Sequence, residues 1–354
     1  MIRVLVVDDS ALVRRLITTA LAEAQDIEVV GVARDGIDAI EKCDELVPDV
    51  ITLDVEMPRL DGLGALAEIR SRHPRMPVIM FSTLTERGAS ATLEALSRGA
   101  SDYVTKPTNT GSVREGLESV REQLIPRIRA LAGMRRLAPI QRAPRAERPA
   151  AVAPPVVARR RPGGPSEALL IGCSTGGPDA LAKVLAALPG DLPVPVLVVQ
   201  HMPPVFTAML AQRLDKLSPL SVREAAVGDV PKPGEVLIAP GDWHMRVETR
   251  AGTVQVSLDQ GPQENFCRPA VDVLFRSAAA VYGGRCVAAI LTGMGHDGVE
   301  GVRLLQEAGA PIYAQDEASS VVWGMPGAVA QAGLATEILP LVQLSAKLTA
   351  AVRR

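Results

Sequence analysis

The chain has 354 residues, of which 47% are hydrophobic and 22% charged, with a formal net charge of −2. That length fits two or three domains at roughly 100–200 residues each, and the balance excludes a disordered or fibrous chain. No apolar run reaches the roughly 18 residues that cross a bilayer, and the four cysteines form no CxxC pair, which points to free thiols in a reducing, cytoplasmic setting.

The N-terminal MIRVLVVDD reads as a strand, not as a secretory signal. Aromatic residues make up only 3% of the chain, so Ala, Val and Leu must fill the interior, as in buried parallel sheets. Over residues 1–125, strands at 2–8, 27–33, 49–54, 76–82 and 102–105 alternate with helices near 11–24, 36–46, 63–72, 87–98 and 112–124. Such alternation predicts an α/β domain, a doubly wound five-stranded parallel sheet covered on both faces.

The polar residues of chemical interest fall at strand ends: Asp8 and Asp9 after the first, Asp54 after the third, Ser82 after the fourth and Lys106 after the fifth. Each acid alone reads equally well as a helix cap. Three carboxylates at one sheet edge repel one another unless a cation lies among them, and hard oxygen ligands suit Mg²⁺. Asp54 is then placed to accept a phosphoryl group, with Lys106 and the Ser82 hydroxyl contacting its oxygens. Asp8-Asp9, the run Asp54-Val55-Glu56-Met57-Pro58-Arg59-Leu60-Asp61-Gly62, Ser82 and Thr105-Lys106-Pro107 resemble the response-regulator receiver family. The resemblance implies phosphorylation at Asp54 by a histidine kinase. It also implies that the Glu56 backbone carbonyl joins Asp9 and Asp54 around Mg²⁺, and that Tyr103 is a switch aromatic responding to Ser82.

Residues 126–165 hold ten Arg, one acid and eight prolines, which reads as a semi-extended linker. No aromatic residues interleave its Arg clusters, such as Arg159-Arg160-Arg161, for base stacking, and no nucleic-acid partner is expected.

Residues 166–354 open with Leu169-Leu170-Ile171-Gly172-Cys173-Ser174-Thr175-Gly176-Gly177-Pro178, a buried strand turning sharply into a helix. Ser174 is either a nucleophile at the ligand-binding edge of an α/β sheet or a cap for that helix. The glycines suit a phosphate loop as well, but no Lys follows them. A second apolar strand delivers His201, and Val287–Leu291 delivers Asp297. The stretches 221–225, 235–239, 243–249 and 252–258 read as an antiparallel middle portion, the last two a hairpin around Ala251-Gly252.

Ser, His and Asp at three strand ends are what acyl transfer needs: a hydroxyl, a base and a carboxylate to orient the base. The order Ser-His-Asp and the absence of G-x-S-x-G set the chain apart from α/β-hydrolases. His244, beside Trp243, and His296 compete as bases. Cys173 reads as a small core residue rather than a thiol nucleophile, and Asp259, Asp272 and Asp316 as ordinary turn or helix-start acids.

Ile171–Gly177, Gln200-His201-Met202-Pro203, Arg268–Phe275, Leu291–Val299 and Gly324-Met325-Pro326 resemble the catalytic domain of the chemotaxis protein-glutamate methylesterase (CheB) family. With the receiver in front, the resemblance spans the chain. It implies Ser174 as nucleophile, His201 as base, Asp297 as orienting acid, and the backbone N–H groups of Met294 and Thr175 as oxyanion donors. It further implies hydrolysis of glutamyl methyl esters on methyl-accepting chemotaxis receptors, deamidation of receptor glutamines, and an esterase site without a cofactor. A site at the carboxyl edge of the sheet must admit a receptor helix, so an unphosphorylated receiver packed over that edge is expected to inhibit it. The family usually has Ala where this chain has Cys173, and Asn where it has His296.

Overall fold

The structure, a computed structural model, describes residues 1–107, 113–137 and 164–353. Most of the expected linker, including Arg159-Arg160-Arg161, lies outside the described residues.

The first unit alternates β1 (Ile2–Val7), α1 (Ala11–Ala22), β2 (Ile27–Ala33), α2 (Gly36–Leu46), β3 (Val50–Asp54), α3 (Gly62–Arg72), β4 (Val78–Ser82), α4 (Glu86–Ser97), β5 (Asp102–Thr105) and α5 (Val113–Leu137). Its strands pair in parallel in the order β2-β1-β3-β4-β5. β3 and β4 are buried along their whole length, as strands covered on both faces must be.

The helix starts have their own caps. Ser10, Asp35, Asp61 and Thr85 accept backbone N–H groups at the starts of α1 to α4. The carboxylates of Asp8, Asp9 and Asp54 are left for another role at the sheet edge.

α5 corrects one expectation. The segment expected to leave the domain at residue 126 as extended chain continues as helix through Pro126 to Leu137. Ile125, Ile128, Leu131 and Ala132 form a buried stripe at helical spacing, and its packing outweighs the hydrogen bond that the proline cannot donate.

The second unit begins with β6 (Ala168–Cys173), α6 (Gly177–Ala186), β7 (Val196–Gln200), α7 (Phe206–Leu217), β8 (Ser221–Glu224), β9 (Glu235–Ile238), β10 (His244–Arg250) and β11 (Thr253–Asp259). It ends with α8 (Val271–Tyr282), β12 (Cys286–Ile290), α9 (Val299–Glu307), β13 (Ile312–Gln315), α10 (Met325–Gln331), β14 (Glu337–Leu339) and α11 (Leu341–Val352). Its seven-stranded sheet runs β14-β13-β12-β6-β7-β9-β8, parallel throughout.

Here the expected antiparallel middle portion is corrected as well. Among the strands of the described residues, only β10 and β11 pair antiparallel. Residues 225–234 carry the chain back so that β9 starts from the same end as β8, and both extend the parallel sheet.

β6 lies between β12 and β7, so Ser174, His201 and Asp297 all follow three adjacent strands. Gly177 keeps this edge tight, because a Cβ there would fall inside the Gln200 amide. The two units share an apolar cluster that includes Leu93 and Leu96 of α4, Tyr103 of β5, Leu181 of α6, and Phe206 and Leu210 of α7.

Gly177→Ala should therefore overpack this edge and cost roughly 1–3 kcal/mol. At about 2–4 °C per kcal/mol for a domain of this size, calorimetry should show the midpoint of the transition containing the second unit falling by several degrees.

Candidate active site

In the second unit, His201 occupies the loop after β7 and Asp297 the loop after β12. His201 Nε2 lies 2.7 Å from Asp297 Oδ2. The ring is 10% exposed and the carboxylate 2%. Asp297 also accepts from Val271 N at 2.6 Å, Asp272 N at 3.1 Å and Asn265 Nδ2 at 3.0 Å. Burial opposes the Asp297 charge, but the hydrogen bond and charge of His201, with the two backbone N–H groups, hold its carboxyl down at about 2. Burial also works against an imidazolium at His201; the facing Cys267 sulfur and Asp297 outweigh it and push the ring up to about 10.

Cys267 Sγ stands 3.4 Å from His201 Nδ1, so both ring nitrogens are engaged. Among the described residues, Ser174 Oγ has no hydrogen-bond partner, although Ser174 and His201 line one cleft. The capping role considered for Ser174 is not used. Gly176 caps α6 with a left-handed backbone and no side-chain bond, while Gln200 Nε2 donates to the Ser174 carbonyl at 2.9 Å. Gly293 comes so close that a Cβ there would lie 3.0 Å from Ser174 Cβ. Its carbonyl accepts from Gly324 N and Met325 N, which fixes the turn carrying Met294. Neither Thr175 N nor Met294 N has a partner among the described hydrogen bonds, which leaves both free to stabilise an oxyanion.

The competing residues have other places. His244 is 1% exposed, with Nε2 3.0 Å from the Pro262 carbonyl. The side chain of His296 is exposed to solvent. Cys173 is fully buried, donates to Gln200 Oε1 at 3.0 Å, and has its thiol pushed up by burial. Asp259 pairs with Arg246, and Asp316 bonds Ser319. Asp272 is not an ordinary helix-start acid. It is 4% exposed, accepts from Gly301 N at 2.7 Å, and shares Asn265 with Asp297.

In the first unit, Lys106 Nζ lies 2.9 Å from Asp8 Oδ2 and 2.8 Å from Asp54 Oδ2, both buried. Burial, then the Asp8 charge, pushes the Asp54 carboxyl up to about 6 against the opposing Lys106. Asp9 is exposed, and Asp8, Asp9 and Asp54 each offer one oxygen within 4.8 Å of the others. Three carboxylates against one ammonium leave two negative charges over. The buried Asp8 Oδ2 and Asp54 Oδ2 have no hydrogen-bonded donor apart from that ion pair. An oxygen-rich site with that surplus fits a divalent ion such as Mg²⁺. Ser82 is 1% exposed, its hydroxyl turned to the Thr83 carbonyl at 3.4 Å. The Glu56 side chain points away to Arg87.

The two sites meet through β5. Asp102 Oδ2 accepts from Thr175 Oγ1 at 2.7 Å and from Arg127 Nε at 3.0 Å. The Tyr103 ring stacks on Phe206 with centroids 4.9 Å apart. Leu96, Asp102, Tyr103 and Arg127 thus wall in Ser174 and His201, leaving a cavity of about 10 Å³, scarcely room for one water.

A family model described as CheB methylesterase matches residues 169–348, and one described as response regulator receiver domain matches residues 4–118. A protein-glutamate methylesterase/protein-glutamine glutaminase of Nocardioides sp. is 53% identical over 97% of this chain and 93% of its own length. The chain belongs to the CheB methylesterase family. A protein of the same printed name from Trichodesmium erythraeum is 47% identical over 97% of both chains. The crystal structure of the Thermotoga maritima CheB methylesterase catalytic domain is 43% identical, with a TM-score of 0.51, covering 52% of this chain and 98% of that one. Receiver domains of this kind bind Mg²⁺ for phosphorylation. Among the described residues no helix is long and apolar enough to cross a membrane.

Asn265 and Cys267 were missed because they lie in a loop without periodicity, just ahead of the recognisable Arg268-Pro269. Asp102 and Arg127 were missed because a contact between domains leaves no local pattern.

The His201–Asp297 pair has a defined pH window. The raised His201 stabilises the fold fully below about 6.5, the ordinary histidine value, and that contribution is lost as pH rises through about 10. The depressed Asp297 contributes above about 3.9 and is lost as pH falls through about 2. Asp297→Asn should cost roughly 3–5 kcal/mol near pH 6, as breaking a buried pair does. Urea unfolding of the two chains across pH should show the difference shrinking above pH 10.

Proposed function

We propose that the chain is a receiver-controlled protein-glutamate methylesterase and protein-glutamine glutaminase, acting on methyl-accepting chemotaxis receptors. The observation that carries the reading is His201, held by Asp297 through Nε2, in one cleft with Ser174 and with Thr175, whose backbone N–H is uncommitted.

With Nε2 committed to Asp297, the proton of Ser174 goes to His201 Nδ1 as Oγ attacks the ester carbonyl. Thr175 N and Met294 N donate to the oxyanion. His201 returns the proton to the departing methanol, and water, deprotonated in turn by His201, releases the glutamate from the acyl-enzyme. With a glutamine substrate, the same sequence releases ammonia.

In the closed structure these parts stand idle. The receiver fills the approach to Ser174 and His201. Asp54 is the phosphoryl acceptor, and Asp8, Asp9, Asp54 and the Glu56 carbonyl would hold Mg²⁺. The ion supplies screening of the charges on carboxylate and phosphoryl donor. Lys106 and Ser82 then draw to the phosphoryl oxygens, and Tyr103 leaves Phe206 to follow Ser82. A histidine kinase is the donor class that fits such a receiver.

Methanol release from methylated receptor tests the reading. Ser174→Ala should lose activity by several orders of magnitude with the fold intact, and the His201→Gln/Asp297→Asn double variant should be little worse than the worse single. Near-normal release by Ser174→Ala would refute the assignment.

For regulation, a chain beginning at Ser166 should be active without a phosphodonor. The full chain should need Mg²⁺ and a small phosphodonor, and Asp54→Asn should abolish that response while keeping basal turnover. Asp102→Ala, which frees Thr175, should raise the basal rate several-fold. A truncated chain no faster than the unphosphorylated full chain would rule out occlusion.

A further inference from the structure

Residues Glu264 to Cys267 form a two-residue turn closed by paired backbone bonds, Glu264 N to Cys267 O at 3.1 Å and Cys267 N to Glu264 O at 2.9 Å. Both central residues have positive φ, 52° at Asn265 and 62° at Phe266. Asn suits such a mirror-image turn, but its second position favours Gly, and a bulky aromatic adopts this backbone only at a cost. Backbone held in an unfavourable region beside a catalytic centre is a pointer to function.

The turn is held from beneath. Asn265 Nδ2 bridges Asp297 and Asp272, Cys267 faces His201, and Arg276 pairs with Glu264 at 2.6 Å. The result is that Phe266 is driven outward. At 96% exposure it is the most exposed large apolar side chain among the described residues. Its neighbours on either side touch Asp297 and His201.

Resting on the esterase reading, we propose that Phe266 is a docking residue that seats on an apolar surface of the protein substrate next to the scissile side chain. An aromatic ring with two rotatable bonds on a rigid turn loses little entropy on docking, and buried aromatics dominate interface energetics. The receiver walls in Ser174 and His201 but leaves Phe266 in solvent, so the contact is open to a receptor even in the closed enzyme. The protein substrate is the occupant because the turn is continuous with the triad, and a small ester would gain nothing from a residue outside the cleft.

The test uses the full chain with Mg²⁺ and acetyl phosphate, as wild type, Phe266→Ala and Phe266→Leu. Methanol release is measured from methylated receptor in membranes and from the γ-methyl ester of N-acetylglutamate. In Phe266→Ala the ratio of kcat/KM for receptor to that for the small ester should fall at least tenfold, mainly through KM for receptor. Phe266→Leu should recover most of it. An unchanged ratio, whether both rates hold or both fall together, would overturn the proposal. So would sedimentation showing that Phe266→Ala only dissociates a self-dimer. If the wild type releases methanol from neither substrate, the esterase reading fails. Direct binding of methylated receptor still judges the docking role, since a tenfold loss in Phe266→Ala supports it and equal binding refutes it.

Discussion

The catalytic half of the molecule depends on one carboxylate. Asp297 accepts from His201, Asn265 and the first two backbone N–H groups of α8. Ala270, the residue before α8, has no side chain able to cap it, so Asp297 supplies the acceptor from another loop. A carboxylate at a helix N-terminus is stabilised by the helix dipole and by orphan donors. The same bonds that end α8 therefore keep Asp297 ionised and aimed at His201. One group ties the ends of β7 and β12, the Glu264–Cys267 turn and α8 into a single rigid edge, and Asp272 braces it from beneath through Asn265 and Gly301.

Much of this edge was legible in the sequence. Apolar runs ending in Ser174, His201 and Asp297 mark strand ends, and in a parallel sheet all strand ends of one sense share one edge. The same logic gathers Asp8, Asp54, Ser82 and Lys106 in the receiver. Helix caps were harder to assign, because Asp is both a good cap and a good ligand. The structure separates the roles by giving the caps to Ser10, Asp35, Asp61 and Thr85.

What stayed hidden was tertiary. α5 runs through Pro126 because a buried stripe holds it, and a proline reads locally as a break. The parallel placement of β8 and β9 depends on which edge the chain returns to, which short strands do not encode. Asn265 and Cys267 act through distances of 3.0 and 3.4 Å to residues 32 and 66 positions away. No window of sequence periodicity spans such separations.

β5 links the two sites. Its four residues, Asp102 to Thr105, span only about 13 Å at roughly 3.3 Å per residue. Lys106 at one end holds Asp8 and Asp54, while Asp102 at the other holds Thr175 beside Ser174. Tyr103 between them is stacked on α7, the helix that follows His201. On the proposed reading, a change of charge at Asp54 needs to move only one short strand end and one ring, and no long relay, to reach the loop carrying Thr175. Because Asp102 also binds Arg127, the strand is braced against α5, so its hold on Thr175 is rigid until the receiver itself rearranges. Packed interfaces of this kind switch between discrete arrangements and do not deform gradually. On the proposed reading, the fit of Tyr103 against Phe206 accordingly favours two states of the esterase site, closed or released, over a graded one.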